Sequence, residues 1–173
     1  SVSTRAISRW PPSASPRPTA ACNDSTLAAA LLAVTETVDD TGEHWSAEDL
    51  AEWWVNDLVD LSRDGLAVRA GDGTLVAWAT VLALPDFRDA FRIELEARVA
   101  LPWRGRGVGR ALLGWQLARG REVHAERQPG VPAVLAVAAP TAMTSLESLL
   151  RRAGLIDTAT YLKLITKTLN QVQ

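Results

Sequence analysis

The chain has 173 residues, of which 47% are hydrophobic, and its 18 basic and 20 acidic side chains leave a formal net charge of −2. This composition is typical of one soluble domain, which at this length buries enough apolar surface to fold without a disulfide or a metal. The single cysteine, Cys22, excludes an internal disulfide, and the distant His44 and His124 have no zinc-site spacing. We expect a cytoplasmic protein that binds no metal, membrane or nucleic acid, because the charge is near neutral and no run approaches the roughly 20 apolar residues of a bilayer span.

The N-terminal part of the chain changes from proline-rich to helical. Four of the nine prolines lie in residues 1–26, which predict a short strand at 4–10 and a loop at 11–24. Residues 27–38 are apolar enough for a helix. A second helix is predicted to begin at Ser46, which forms a capping-box pattern with Asp49. Its apolar stripe is Leu50, Trp53, Trp54, Leu58 and Leu61.

Three strands are predicted to follow. Residues 65–70 and 74–84 are apolar runs joined by Gly-Asp-Gly, a pattern that predicts an antiparallel hairpin. Residues 91–101 predict a strand with one polar face, because charged and apolar side chains alternate along it. That polar face consists of Arg92, Glu94, Glu96 and Arg98.

Helices and strands alternate in the C-terminal half. A helix is predicted at about 108–126, where Gly114 and Gly120 each cost about 1 kcal/mol relative to Ala. A buried strand at 133–138, a helix capped by Thr144 with Glu147 and ended by Gly154, and a last strand at 158–169 complete the order. The buried side of the first of these helices is predicted to be Val108, Leu112, Trp115 and Leu117.

The predicted order is strand, helix, helix, three strands, helix, strand, helix, strand. This order indicates an α/β chain in which only some strand pairs are parallel. We divide it into an N-terminal strand and proline-rich loop (1–26), a core (27–169) and a polar tail (170–173).

A glycine-rich run at residues 104–109, Arg-Gly-Arg-Gly-Val-Gly, lies between a predicted strand and a predicted helix. Glycines let the backbone N–H groups approach a ligand, and the first turn of the helix adds unpaired donors and a positive dipole end. The run therefore predicts a pyrophosphate site. A P-loop would end in Gly-Lys-Ser/Thr, whereas this chain has Gly109-Arg110-Ala111. A dinucleotide-binding fold would place the glycines after its first strand.

The run and the element order resemble the Gcn5-related N-acetyltransferase (GNAT) family over about residues 4–169. Its signature is Arg or Gln, two residues, Gly, one residue, then Gly or Ala, and Arg104, Gly107 and Gly109 fill these positions. Val99 stands five residues before Arg104, where the family usually has Val. The resemblance extends to single domains of actinobacterial, mycothiol synthase-like members.

The resemblance implies a GNAT-type α/β fold with a mixed, mostly antiparallel sheet flanked by helices, and acetyl-CoA as the cofactor of an N-acetyltransferase. The loop would bind the pyrophosphate of coenzyme A, and the preceding strand would separate from its neighbour to admit the pantetheine arm. The residues implied to bind the cofactor are Val99, Arg104, Gly105, Arg106, Gly107, Val108, Gly109 and Arg110.

The chain departs from the family pattern at two places. Leu101 stands where the family commonly has Pro, and Pro102 follows it. In the last helix, Leu150 and Met143 stand where many members have a Tyr general acid and an Asn. We expect a slower rather than an inactive enzyme, because a thiol of pKa about 8.5 can leave without full protonation. The alternative is a non-catalytic or regulatory module that binds acetyl-CoA.

Glu94 and Glu96 are the candidate general bases, acting directly or through water. The family resemblance implies a backbone N–H near Val99 as the oxyanion donor. The alternative for both carboxylates is a solvated or arginine-paired strand face. Tyr161, the only phenol, is a candidate substitute acid or a packing residue. We expect His44 and His124 at the surface and assign Cys22 no role.

Charge is unevenly distributed along the chain. Residues 36–64 contain ten acids and one base, and the family resemblance places them beside the acceptor, so we expect a small, cationic primary amine as substrate. A solvated helix face is the alternative. Trp45, Trp53 and Trp54 could line a pocket, form a dimer contact or belong to the core. Residues 88–127 contain nine Arg against five acids, but no nucleic-acid-binding motif. We expect a monomer or a homodimer.

Overall fold

A seven-stranded sheet forms the centre of the protein. The computed structural model describes residues 17–20, 24–55, 60–83, 90–139, 143–157 and 163–169, so the strand predicted at 4–10 lies outside the described residues. In chain order the elements are β1 (Arg17–Ala20), α1 (Ser25–Asp39), α2 (Ala47–Trp54), α3 (Leu61–Asp64), β2 (Gly65–Arg69), β3 (Leu75–Ala83), β4 (Phe91–Val99), a 3-10 turn (Leu101–Trp103), α4 (Val108–Arg127), β5 (Ala133–Ala139), α5 (Thr144–Arg152), β6 (Ile156–Asp157) and β7 (Lys163–Leu169).

The strands lie in the order β1-β2-β3-β4-β5-β7-β6. Among the described strands, β4 and β5 are the parallel pair, and all other neighbours are antiparallel. The predicted mixed, mostly antiparallel sheet is therefore confirmed, as is the hairpin of β2 and β3.

The first strand corrects the prediction of a loop at residues 11–24. Arg17–Ala20 pairs antiparallel with β2, and Pro18 lies opposite Val68. β1 is the edge of the sheet, where one side of the strand needs no ladder hydrogen bonds and a proline is tolerated. The prolines of this segment favoured a loop, because the sequence alone does not show that this strand lies at the edge of the sheet, where proline is tolerated.

Two helix starts test the capping predictions. The capping box of α2 is confirmed. The Ser46 hydroxyl accepts a hydrogen bond from the Asp49 N–H at 3.0 Å, and the Asp49 carboxylate accepts one from the Ser46 N–H at 2.9 Å. The Thr144 cap is wrong. Met143 occupies the N-cap position of α5 without a side-chain cap bond, so Thr144 already lies inside the first turn. Glu147 instead pairs with Arg151, 3.0 Å away.

The predicted stripe of the second helix also extends too far. α2 ends at Trp54, Leu61 begins the separate short helix α3, and Leu58 lies outside the described residues. Leu50 is the one buried residue of α2, whereas Trp53 and Trp54 are half-buried.

The core consists of two clusters, one on each face of the sheet. The larger packs α4 and α5 against β2–β5, and the smaller packs α1 and α2 against β2 and β3. Neighbouring residues of β2 contribute to both clusters, because successive side chains of a strand point to opposite faces of the sheet. Leu66 and Val68 belong to the larger cluster and Ala67 to the smaller. In the described ranges, no helix is long and apolar enough to cross a bilayer.

α4 is attached to the sheet by polar as well as apolar contacts. Asp64 is fully buried and accepts from Arg119 Nε at 2.8 Å and from the Arg127 guanidinium at 2.7 Å. His124 is also buried, with Nε2 2.7 Å from the Val131 carbonyl oxygen, so its expected surface position is wrong. Removing one partner of a buried ion pair costs about 3–5 kcal/mol, so these contacts fix the position of the helix.

The predicted buried side of α4 is confirmed at Val108, Leu112 and Trp115, with Leu117 half-buried. Gly120 adds a contact that helical spacing does not reveal. A Cβ at this position would lie 2.7 Å from Cδ2 of the fully buried Leu135. Gly120 therefore allows α4 to approach β5 closely.

We predict that Gly120→Ala destabilises the protein by about 1–3 kcal/mol, because Leu135 must move within a packed core. Gly114→Ala is the control on the same helix, since nothing lies within 4 Å of its added Cβ. The control is expected to stabilise the fold by up to about 1 kcal/mol through helix propensity. Urea unfolding measures both values, and equal stabilisation by the two substitutions would contradict the packing role.

Candidate active site

A cleft opens where β4 and β5 stop pairing. Their parallel register extends from Phe91↔Ala133 to Glu94↔Ala136, although the strands continue to Val99 and Ala139. The cleft has a volume of about 990 Å³ and is lined by both strands, the loop before α4, and α5. The separation of strands implied by the family resemblance is therefore present.

The glycine-rich loop forms one end of this cleft. Gly105 and Gly107 have φ angles of +72° and +88°, and nothing lies within 4 Å of a Cβ placed on either. Gly107 is the N-cap of α4, and the N–H of Ala111 makes the first helical bond, to the Gly107 carbonyl oxygen at 3.0 Å. The three preceding N–H groups of the first turn have no helical acceptor, so this end of the cleft can bind an anion.

Arg104 does not present a free charge to the cleft. Its two terminal nitrogens donate to the Asp39 carboxylate at 2.6 and 2.7 Å, and its Nε donates to the Val99 carbonyl oxygen at 3.0 Å. The side chain therefore links the end of α1 to the end of β4. Arg110 lines the cleft, whereas the Arg106 guanidinium lies 5.2 Å from the ring centroid of Trp103.

The backbone of Val99 faces the gap between the strands. The N–H of Ala100 donates to the Val76 carbonyl oxygen of the β3 strand region at 2.8 Å. Because successive residues of a strand point their N–H and C=O groups to opposite sides, those of Val99 point away from β3. Val99 thus lines the cleft with a backbone donor on the side that β5 has left.

The polar face of β4 lines the cleft, and its two carboxylates differ. Glu94 pairs with Arg92 at 3.0 Å, as the alternative of a paired strand face predicts. Glu96 is half-buried and makes no ion pair in the part of the chain that the structure describes. Burial raises the pKa of Glu96, and nearby Glu43 and Glu94 add to this effect while Arg98 opposes it. Glu96 is therefore the carboxylate better suited to accept a proton near neutral pH.

Gln116 is a site residue that the sequence analysis missed. It is 3% exposed, and its Nε2 donates to the carbonyl oxygens of Thr80 at 3.0 Å and Glu96 at 2.7 Å. Thr80 and Glu96 are paired between β3 and β4. The signal was available, because residue 116 lies four after Leu112 on the buried side of α4, and a buried amide requires partners.

The loop between α1 and α2, together with α2, adds an aromatic and charged part to the lining of the cleft. Trp45 and Trp53 line it together with Glu43, and their ring centroids are 6.5 Å apart at an interplanar angle of 45°. Trp45 is 40% exposed. Glu43 pairs with Arg98 of β4. Of the predicted tryptophan roles, pocket lining therefore applies to Trp45 and Trp53, while Trp54 packs against the smaller core cluster.

The acidic and arginine-rich segments partly neutralise each other. Their cross-segment pairs are Asp39–Arg104, Glu43–Arg98, Asp64–Arg119, Asp64–Arg127 and Arg63–Glu126. The local charge counted along the sequence therefore overstates the negative field beside the cleft.

α5 forms the remaining wall of the cleft. Leu150, at the position of the family tyrosine, is 1% exposed, and Met143 stands at the helix start. Ser145 and Ser148 also line the cleft, and their spacing of three residues could have placed them on one face.

Tyr161 and Cys22 lie outside the described residues. Within the described ranges, no three His, Cys, Asp or Glu side chains cluster as metal ligands.

Comparisons with known proteins agree on the fold. No family model and no curated protein matches the sequence. A Gcn5-related N-acetyltransferase from Sphaerobacter thermophilus is similar, with a TM-score of 0.67 and 23% identity over 81% of this chain and 43% of that chain. The GNAT domain of S. lividans PAT is also similar, with a TM-score of 0.66 and 21% identity over 89% of this chain and 90% of that chain.

A third similar structure is that of a GNAT superfamily phosphinothricin acetyltransferase from Sinorhizobium meliloti in complex with AcCoA. Its TM-score is 0.66, and its identity is 16% over 90% of this chain and 88% of that chain. The chain therefore has the GNAT fold, as the sequence predicts. It spans less than half the length of the Sphaerobacter protein.

We predict that Glu96→Gln raises the melting temperature at pH 8. The folded-state pKa of Glu96 is raised, so folding favours its protonated form, and stability falls as the pH rises from the unfolded pKa through the folded one. The gain should shrink as the pH falls toward 4, where the carboxyl becomes largely protonated in both states. Glu94→Gln is the control, because it breaks the pair with Arg92 and should bring no gain. A lower melting temperature for Glu96→Gln at pH 8 would contradict the assignment.

Proposed function

We propose that the chain is an acetyl-CoA-dependent N-acetyltransferase that acts on a small primary amine, which is cationic at neutral pH. The observation that carries the proposal is the cleft between β4 and β5, which has the glycine-rich loop at one end and Glu96 in its wall. The GNAT fold supports it, since a protein of the same fold is solved with AcCoA.

The described residues fit acetyl-CoA, which supplies an activated acetyl group as a thioester. The open backbone at Gly105 and Gly107 and the unpaired N–H groups of Val108, Gly109 and Arg110 would bind its pyrophosphate. An extended arm would lie between β4 and β5 in the cleft, which has a volume of about 990 Å³. The Val99 N–H would donate to the carbonyl oxygen as negative charge develops on it.

Glu96 would take the proton that the acceptor must lose. An alkylammonium has an ordinary pKa near 10.4, so at neutral pH the nucleophilic amine forms only by giving up a proton. The raised pKa of Glu96 makes its carboxylate a stronger base than a solvated glutamate. The amine nitrogen would form the new bond to the acetyl carbon as the carbon–sulfur bond breaks. The nitrogen would then lose its second proton, which the departing thiolate would take up, so that a free thiol is released.

The alternative is a non-catalytic or regulatory module that binds acetyl-CoA. The buried Leu150 favours it, because the position of the family tyrosine carries no acid. The role of Tyr161 as a substitute general acid stays a prediction. The cytoplasmic location, the monomeric or dimeric state and the resemblance to mycothiol synthase-like domains are proposals from the sequence.

We expect Gly109→Glu to abolish the stabilisation that acetyl-CoA gives the wild type. A ligand at 100 times its Kd stabilises a protein by about 2.7 kcal/mol. A carboxylate in the first turn suits the helix dipole but repels a pyrophosphate. Gly114→Glu adds the same charge on the same helix at an exposed position and should keep the shift. Thermal unfolding with and without acetyl-CoA measures this, and no shift in the wild type would refute cofactor binding.

We expect Glu96→Gln to lower kcat/KM for a primary amine by about 10²–10⁴-fold at pH 7, the usual contribution of a general base. The loss should shrink toward pH 10, because the amine then arrives deprotonated. Release of free thiol from acetyl-CoA measures the rate. Glu94→Gln, which removes the Arg92-paired carboxylate, should cost much less. Equal losses in the two variants at all pH values would rule out this assignment.

A further inference from the structure

A second groove borders the cleft at Trp45 and Trp53. It has a volume of about 510 Å³ and is lined by residues of α2 and the loop before it, namely His44, Trp45, Asp49, Glu52 and Trp53. Trp45 and Trp53 line both the groove and the cleft, so the two spaces meet at these rings. A group that lies against the two rings therefore borders both spaces.

The groove has the chemistry of a cation site. The two indole rings lie 6.5 Å apart, and Trp45 keeps 40% of its surface exposed. Tryptophan faces attract ammonium and guanidinium groups. Glu52 is exposed and makes no ion pair or hydrogen bond in the part of the chain that the structure describes. Among the described residues, no Lys or Arg lines the groove, and residues 39–55 contain none.

The neighbouring acids are committed elsewhere, which leaves Glu52 as the free carboxylate of the groove. Asp49 accepts from the Ser46 N–H in the capping box. Glu43, in the cleft, pairs with Arg98. The charge that remains available in the groove is therefore negative and lies next to the aromatic pair.

We propose that this groove binds a second cationic group of the acceptor, so that the preferred substrate is a small diamine. The inference rests on the proposed N-acetyltransferase function. One amine reacts beside Glu96 while the other lies against Trp45 and Trp53, near Glu52. An acceptor with a carboxylate in that place would meet Glu52 and, within the described part of the chain, no arginine or lysine of the groove lining.

The test compares putrescine with butylamine, which has the same carbon chain and lacks the second amine. With acetyl-CoA and a thiol-release assay, kcat/KM for putrescine should exceed that for butylamine roughly tenfold, as expected for a cation at an aromatic and acidic site. Glu52→Gln should raise KM for putrescine about threefold or more. It should leave kcat, KM for acetyl-CoA and the butylamine values unchanged.

Glu48→Gln is the matched control. Glu48 is an exposed carboxylate on the same helix but does not line the groove, so its removal should change neither amine's KM. Trp45→Leu should reduce the preference for putrescine as Glu52→Gln does. Equal kcat/KM for the two amines, a higher value for 4-aminobutanoate than for putrescine, or equal effects of Glu52→Gln and Glu48→Gln would overturn the proposal.

Direct binding separates this proposal from the proposed function. Putrescine should quench tryptophan fluorescence in the wild type more strongly than butylamine, and Trp45→Leu and Glu52→Gln should each abolish the difference. If no amine releases thiol but the quenching follows this pattern, the cation site stands and the enzymatic proposal fails. If thiol is released but putrescine has no advantage in rate or quenching, the cation site fails and the enzymatic proposal stands.

Discussion

β4 leaves β5 after Glu94 and Ala136 but stays paired with β3 through Val99, so the sheet opens on one side only. Side chains from outside the sheet hold the separated end. Gln116 of α4 donates to the Glu96 carbonyl oxygen, and Arg104 donates to that of Val99. The helix whose first turn can bind an anion is therefore bonded to the strand that carries the candidate base. A hydrogen bond of this kind contributes about 0.5–1.5 kcal/mol, and the two contacts together help to hold β4 in place relative to α4 and its preceding loop.

Ion pairs explain how two segments of opposite charge produce a near-neutral protein. Asp39 and Asp64 come from the acidic segment, and both are buried against arginines of the basic one. These pairs attach α1 and α3 to α4 and to the loop before it. The charge pattern of the sequence thus describes assembly as much as ligand attraction. In the proposed cation site, Glu52 of α2 is the acid left for a substrate, because it makes no ion pair within the described residues.

The sequence predicted those features that depend on local patterns. The hairpin, the capping box of Ser46 and Asp49, and the glycine loop were found because turn chemistry and helix caps act within a few residues. β1 was missed because only its pairing with β2 makes Pro18 acceptable in a strand. Gly120 and Gln116 were missed as contact residues because their partners, Leu135 and the Thr80 and Glu96 carbonyls, are distant in sequence. Tertiary contacts of this kind leave no local signal.

The loop between α1 and α2 is held by hydrogen bonds rather than by core packing. The Glu36 carboxylate accepts from the Thr41 hydroxyl and, at 2.6 Å, from the Gly42 N–H, and these bonds lower the pKa of Glu36. Asp40 adopts a φ of +46°, a left-handed conformation that costs a residue with a side chain roughly 1–2 kcal/mol. This strain persists because the bonds to Glu36 set the direction of the chain. The same loop contains Glu43, which pairs with Arg98, and Trp45, whose ring contacts that of Trp53. The hydrogen bonds of the loop therefore help to hold Glu43 and Trp45 in the wall of the cleft.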